Sequence, residues 1–270
     1  MLSVNSTAEI IVLIPHYNNP QGLNKSLQSI QETIRVDVLI VDDGSEEKGL
    51  DEAGLQENLS AHLQLNFLYL KKNKGIEEAL NAGLRHILSK SYTYIARLDC
   101  GDLCAPGRFF TQKKFMEDRP ELGLVGSYAH FIDSGGRRLY DLKHPTSYAR
   151  IKQKMHVNAM FIHPTIMFKT KVVERVGLYP TTYQAAEDFA FFFKIIEHFK
   201  AANIPQFLVS CEINAGGISL QRRKEQLVSR MQILKEQFYW GFYPCYGLVR
   251  NFIISKLPYV LIYNIKKILR

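Results

Sequence analysis

Two hydrophobic periods alternate over the first hundred residues of this chain, and little else constrains its fold as strongly. Residues 9–15 (EIIVLIP) form a β-branched apolar run ending in proline; residues 36–41 (VDVLIV), 65–70 and 92–98 form three more. Short continuous apolar runs of this kind read as strands buried on both faces. Between them the spacing becomes helical: residues 20–35 carry Leu23, Leu27 and Ile30, residues 50–63 form a second such segment, and residues 75–88 place Ile76, Ala79, Leu80, Leu84, Ile87 and Leu88 on one side. Asn18 or Asn19 offers a cap for the first helix. Strand and helix in strict alternation predict an α/β fold, a doubly wound, mostly parallel, Rossmann-like sheet. Its crossovers are right-handed, and its ligands lie outside the carboxyl ends of the strands. The polar clusters His16-Tyr17-Asn18, Asp42-Asp43, Asn73 and Asp99 to Asp102 fall at those ends.

The pattern changes after residue 120. Residues 122–126, 128–132 and 138–142 read as shorter strands, with Ser134-Gly135-Gly136 turning between the last two, and residues 165–169 as another. Residues 187–199 are a phenylalanine-rich helix, 204–209 a final strand and 218–239 a helix. With no repeat, low-complexity stretch or linker, residues 1–215 are expected to form one domain, followed by a helical, basic and aromatic tail over 216–270. The length of 270 residues suffices for one large core, and 46% hydrophobic with 22% charged residues excludes a disordered chain. Cys100, Cys104, Cys211 and Cys245 include no CxxC pair, so neither a disulfide framework nor a structural zinc is expected. Residues 1–8 lack a secretory h-region and no run reaches 18 apolar residues, so a cytoplasmic location, free or on the inner face of the membrane, is expected.

Several carboxylates stand where chemistry is expected. Asp42 and Asp43 end a buried strand, where a carboxylate accepts from a base N–H or a ribose hydroxyl; Asp-Gly-Ser is equally good turn chemistry. Asp99 and Asp102 flank Cys100-Gly101, and two carboxylates in one crevice repel unless a cation lies between them. Hard oxygen ligands suit Mg²⁺ or Mn²⁺, which in turn bridges a diphosphate; a capped loop is the plainer alternative. Glu187 and Asp188 open a helix, where the dipole favours negative charge and where a general base could also stand. His163-Pro164 reads as a ligand, a substrate contact or a hydrogen-bonded structural histidine. Arg222, Arg223 and Lys224 read as a diphosphate clamp or as a solvated helix face.

Taken in order, these segments resemble the family 2 glycosyltransferases of GT-A fold, in particular bacterial members that build surface polysaccharides. The resemblance spans residues 9 to about 220. It rests on Ile14-Pro15-His16-Tyr17-Asn18, Val41-Asp42-Asp43-Gly44-Ser45, Asn73-Lys74-Gly75 with Ala79 and Asn81, Ala96-Arg97-Leu98-Asp99-Cys100-Gly101-Asp102 with Pro106 and Arg108, His163-Pro164-Thr165 with Phe168, and Glu187-Asp188. It implies that Pro15, Tyr17, Asp42, Asn81 and Asp99 hold the nucleotide, with Asp42 reading the base. It also implies that Asp99 and Asp102 bind Mg²⁺ or Mn²⁺ on the donor diphosphate, and that Asp188 is the base of an inverting transfer from a nucleotide-sugar, a UDP-sugar foremost. A glycan or lipid-linked acceptor follows from the same resemblance. The family pattern Asp-x-Asp-Asp is broken by Gly101, which removes one expected ligand and leaves open a module that binds nucleotide-sugar without turnover.

The charge of +8 and pI of about 9.2 favour anionic partners. No zinc-finger spacing, RNP-like motif or dense basic stripe supports nucleic acid, and no glycine-rich lysine loop follows the first strand as in a nucleotidyltransferase. In the tail, aromatic and aliphatic residues interleave with Arg250, Lys256, Lys266, Lys267 and Arg270, a composition suited to an anionic membrane surface. A helix packed on the domain or on a partner is the alternative.

Overall fold

A computed structural model describes residues 8–46, 50–57, 59–213 and 222–257. In chain order the elements are β1 (Ile10–His16), α1 (Pro20–Ser29), β2 (Val36–Asp42), α2 (Glu52–Glu57), β3 (Leu63–Tyr69), α3 (Ile76–Leu88), β4 (Tyr94–Arg97), β5 (Leu103–Cys104), α4 (Arg108–Glu117), β6 (Leu122–Ile132), β7 (Arg138–Leu142) and α5 (Tyr148–Lys154). A 3-10 turn (His163–Thr165) leads into β8 (Met167–Lys169), α6 (Thr170–Val176), α7 (Glu187–His198), β9 (Lys200–Glu212), α8 (Arg223–Glu236) and α9 (Phe242–Lys256). The strands form one sheet in the order β3-β2-β1-β4-β8-β6-β9-β5, with β7 hanging on β6. The half from β3 to β4 is parallel throughout, as the sequence predicts. In the other half β8 and β5 run antiparallel to their neighbours, while β6 and β9 pair in parallel.

Alternate residues of the central strands feed two cores. Ile11, Leu13, Leu39 and Val41 face α3, α6 and α7, whereas Ile10, Val12, Ile14, Val38 and Ile40 face α1 and α4. Burial on both faces explains why β1 and β2 read as unbroken apolar runs. Pro15 lies past the last residue that β1 pairs with β4, where a strand can do without a donor. Of the two candidate caps for α1, Asn19 is the one used: its side chain accepts from Gly22 N–H at 2.9 Å, with Pro20 opening the helix. At α3, Gly83 lets the helix close on the sheet, since a Cβ there would meet Leu13 Cδ1 at 2.4 Å.

The second half departs from the sequence reading. The strands expected at 122–126 and 128–132 are one eleven-residue strand, β6, whose register against β9 shifts around Leu122/Leu124 and around Tyr128. Gly123 and Gly126 look like punctuation but make room for neighbours: a Cβ would meet Phe199 Cβ at 2.6 Å and Asn203 Oδ1 at 2.3 Å. The strand at 204–209 extends to Lys200–Glu212, bulging opposite Ser127/Tyr128 near Pro205. The helix expected over 50–63 shrinks to Glu52–Glu57. The tail helix begins at Arg223; its expected start at 218–221, Gly216-Gly217 and the end of the tail from 258 lie outside the described residues.

A buried arginine joins the two halves. Arg108, fully buried at the start of α4, donates to Arg97 O at 2.7 Å, Pro164 O at 2.8 Å and Gln112 Oε1 at 3.0 Å. It thereby ties β4 to the 3-10 turn before β8. Arg108→Met strands two carbonyls and the Gln112 side chain, so it should cost about 3 kcal/mol or more. A urea midpoint lowered with the slope unchanged is the expected result; an unchanged midpoint would show that the tie carries no stability.

Candidate functional site

The carboxyl ends of β1 and β2 are laced together by side chains. His16 and Asp42 form the last register pair of the two strands, and His16 Nδ1 lies 2.7 Å from Asp42 Oδ2. His16 Nε2 accepts from Asn19 N–H at 3.2 Å, so Nδ1 carries the proton and donates to Asp42. Asp42 also accepts from the Ser45 N–H and hydroxyl, both at 2.8 Å, and Ser45 Oγ accepts from Asn18 N–H. Burial works to raise the Asp42 carboxyl, but the Ser45 and His16 hydrogen bonds together hold it below the usual carboxylate range. The neighbouring Asp43 takes a different job. It accepts from Lys74 N–H at 2.9 Å and Gly75 N–H at 2.8 Å and so fixes the entry to α3, where Gly75 has a φ of 92°. Both aspartates thus do turn work, Asp42 at Ser45 and Asp43 at the start of α3, while Asp42 also lines the crevice.

Asp42 lines a cleft of about 630 Å³ with His16, Asn24, Ser45, Tyr69 and Lys71, a volume suited to a nucleotide-sized ligand. An adjoining cleft carries Tyr17 and Lys25, and reaches Glu212 and the hairpin tip at Ser134. Asn18 and Gln21 belong to both. Tyr17 is half-exposed there, its ring open to stacking.

Beyond β4 the chain presents the aspartate stretch. Arg97 is 0% exposed, donates to the carbonyls of Leu13 and Leu98, and holds Asp99 Oδ1 at 2.5 Å. Asp102 is buried and accepts from Glu212 N–H at 2.8 Å, which fastens this loop to the end of β9. Burial, then the charge of Asp99, pushes the Asp102 carboxyl well above the usual range. A divalent cation between the two would relieve that repulsion, so the pair fits Mg²⁺ or Mn²⁺ in charge and in donor chemistry. Among the described residues no group of three His, Cys, Asp or Glu side chains converges on such an ion. Gly101 has a φ of 104° with open space beyond its Cα, a backbone that suits glycine and would strain an aspartate. Cys100, between the two, has its thiol pushed up to about 12 by burial and the flanking aspartates, which makes it a poor nucleophile.

The first turn of α7 supplies the third group. Asp188 Oδ1 accepts from Phe189 N–H at 2.6 Å, and Glu187 is buried with Oε2 unpartnered. Burial, with Asp188 beside it, pushes the Glu187 carboxyl up to about 8. His163 donates to or accepts from the Tyr179 hydroxyl at 2.9 Å, and burial together with Arg97 holds it down to about 4. Asp99 and Asp188 both act on His163 electrostatically, so the β4 end and the α7 end share one neighbourhood. His163 is therefore a neutral, hydrogen-bonded residue between the two carboxylate centres.

Asn81, expected in the nucleotide pocket, is buried, and both ends of its amide are engaged. Nδ2 donates to Tyr179 O and Oδ1 accepts from Tyr179 N–H, each at 2.9 Å. In this arrangement its amide positions Tyr179. Two residues of the neighbourhood escaped the sequence reading. One is Tyr179 itself; the other is Arg230 of α8, whose guanidinium lies 4.8 Å from the Phe189 ring centroid and donates to Asn158 Oδ1 at 2.5 Å. Arg230 also feels the charge of Asp188, so the tail reaches the α7 end of the site. Nothing in local spacing marks an arginine forty residues downstream as a neighbour of Asp188.

The profile described as "Glycosyl transferase family 2" matches residues 11–177. The amylovoran biosynthesis glycosyltransferase AmsE of Erwinia amylovora is 30% identical over 231 residues, covering 83% of this chain and 84% of that protein. An Escherichia coli UDP-Gal:alpha-D-GlcNAc-diphosphoundecaprenol beta-1,3-galactosyltransferase is 26% identical over 258 residues, covering 93% and 90%. Among solved structures, S. aureus TarS 1-349 in complex with UDP superposes with a TM-score of 0.61 at 16% identity; the match covers 84% of this chain and 65% of that one. The mannosyltransferase PcManGT of Pyrobaculum calidifontis, solved with GDP-Man and Mn2+, gives 0.63 at 19%, covering 90% and 68%. These two likenesses establish the GT-A fold.

The raised Glu187 carboxyl gives a measurable signature. An acid whose folded pKa exceeds its unfolded value of 4.5 binds a proton on folding, so its contribution is full below 4.5 and is lost as pH rises through about 8. Stability to urea should therefore carry a component that declines between about pH 5 and pH 8, and Glu187→Gln should remove that component. An identical pH slope in the variant would rule the burial argument out.

Proposed function

The chain belongs to glycosyl transferase family 2, and on that premise we propose an inverting enzyme of polysaccharide biosynthesis that moves a hexosyl unit from a nucleotide-sugar to a glycan or lipid-linked acceptor. A UDP-sugar is the donor favoured. The observation that carries the reading is the meeting of three polar ends at one edge of the sheet: Asp42 in the large cleft, Asp99 at β4, and Asp188 on α7, the last two acting on the same half-buried His163. Each stretch alone has a structural explanation; their convergence beside a nucleotide-sized cleft has none so economical.

Each group takes the part its surroundings allow. Asp42, locked by Ser45 and His16, presents a fixed acceptor for a base N–H or ribose hydroxyl; Tyr17, in the adjoining cleft, and Pro15, near the end of β1, would border the same donor. Asp99 and Asp102 would hold Mg²⁺ or Mn²⁺, which when bound supplies charge neutralisation for the diphosphate leaving group. Arg97 orients Asp99. One oxygen of Asp188 accepts from Phe189 N–H, and the carboxylate so held would take the acceptor proton. As that proton moves to Asp188, the acceptor oxygen bonds to the anomeric carbon, and the breaking C–O bond leaves its electron pair on the diphosphate. Direct displacement inverts the anomeric centre. Work on a lipid-linked acceptor would place the enzyme at the inner face of the cell membrane.

A donor panel tests this. Purified chain with Mn²⁺ or Mg²⁺ should release free nucleotide from one nucleotide-sugar, and Asp188→Asn should slow release by about 10²-fold or more. Asp42→Asn should raise the donor KM about tenfold with a smaller effect on kcat, the loss of one fixed hydrogen bond. Binding without release, even with glycolipid extracts added, would favour the non-catalytic module that Gly101 leaves open.

A further inference from the structure

Helix α9 is built inside out. Its buried side consists of Pro244, Gly247 and Asn251, while Phe242, Tyr246, Val249 and Ile253 recur on the opposite side with Phe252 next to them, all exposed. Phe242 is 76% exposed and Trp240, just before the helix, 88%. The orientation is not an accident of loose packing. Gly247 sits against the backbone of His156, where a Cβ would lie 1.8 Å from the carbonyl oxygen, and Asn251 Nδ2 donates to Gly247 O at 2.8 Å. Turning the apolar stripe inward would break this fit. A contiguous apolar face of this kind is rarely left to water.

Charge says what covers it. Residues 222–270 carry ten Lys and Arg against two Asp and Glu, an excess of eight that equals the net charge of the whole chain. Residues 1–221 are balanced. The positive excess therefore belongs to the C-terminal segment; residues 240–270, which bear the apolar stripe, hold five of those cations and no Asp or Glu, and Lys256 continues the stripe at the C-terminal end of α9. A second copy of the chain would bring the same excess to the same place and repel. Nucleic acid would neutralise the charge but leave the aliphatic residues unburied. A bilayer with anionic headgroups satisfies both, with rings and aliphatic side chains at the headgroup–acyl boundary and cations at the phosphates. No described helix is long and apolar enough to cross a membrane, so the contact lies in its plane.

We propose that the α9 face formed by Trp240, Phe242, Tyr246, Val249, Phe252 and Ile253 docks in the interface of an anionic lipid membrane, with Lys256 at its C-terminal end as an electrostatic contact. The proposal goes beyond the sugar-transfer reading and does not need it, because the docking assay contains no sugar.

Trp240 is the sole tryptophan, so the full chain carries its own reporter. On phosphatidylcholine vesicles containing phosphatidylglycerol its emission should shift to the blue and be quenched by brominated acyl chains, with the effect weakened by salt. Phe242→Ser with Ile253→Ser should lower vesicle partitioning by about tenfold or more, and Lys256→Glu should lower it on anionic vesicles alone. Nucleotide release from the donor, measured without vesicles, should stay at the wild-type level in these variants, which separates failure of docking from failure of the enzyme reading. Emission unmoved by anionic vesicles overturns the proposal, as does equal partitioning into pure phosphatidylcholine. So do a blue shift that tracks protein concentration with a doubled mass, a shift produced by nucleic acid alone, and a Trp240 already shielded from iodide in the free monomer.

Discussion

A parallel strand covered on both faces has no room for chemistry along its length. Apart from Asp37, whose carboxylate accepts from the Tyr92 hydroxyl near the start of β2, the buried positions of β1 and β2 ahead of the strand ends go to Ile, Leu or Val, and the helices on either side close both faces. Polar groups are pushed to the strand ends, and because the strands run the same way those ends share one edge. His16, Asp42 and Asp99 are neighbours for this reason before any pairwise contact is considered. The side-chain lacing of His16, Asp42, Ser45 and Asn19 then turns a shared edge into a fixed one. The antiparallel β5 and β8 do the same for Asp102 and for the turn carrying His163, by bringing later segments back to that edge.

The legible part of the fold is the part that this constraint governs. Runs such as VDVLIV admit one reading when helical spacing flanks them, so β1 to β4 and α3 lie where the sequence puts them. The mixed half was harder because its strands carry glycines at positions that look like breaks. Gly123 and Gly126 are there for Phe199 and Asn203, residues some eighty positions away, and no local window contains that information. The same holds for β9, whose Pro205 sits at a bulge and not at an end. Helices α5 and α6 went unread because each is seven residues long, too short for a periodicity to declare itself.

The site divides in the same way. Asp42, Asp99, Asp102 and Asp188 stood out because carboxylates at the end of an apolar run, or opening a helix, are conspicuous. Their division of labour did not. That Asp43 serves the start of α3, that Asn81 spends its amide on Tyr179, and that Arg230 rests on Phe189 are facts of three-dimensional placement. Asn81 is the instructive case: only the family resemblance singles it out, and its bonds to a backbone ninety-eight positions downstream lie beyond any local window.

The contact at Gly247 has a consequence for how such a protein can change. One side of α9 meets the His156 backbone so closely that almost any replacement at 247 would have to displace it. The outward side is exposed among the described residues. Mutation can therefore retune that side, exchanging one ring or aliphatic residue for another, without disturbing the helix seat or the Arg230–Phe189 contact behind it. A lineage moving between cells of different lipid composition could adapt its outer stripe while its catalytic interior stayed as it was.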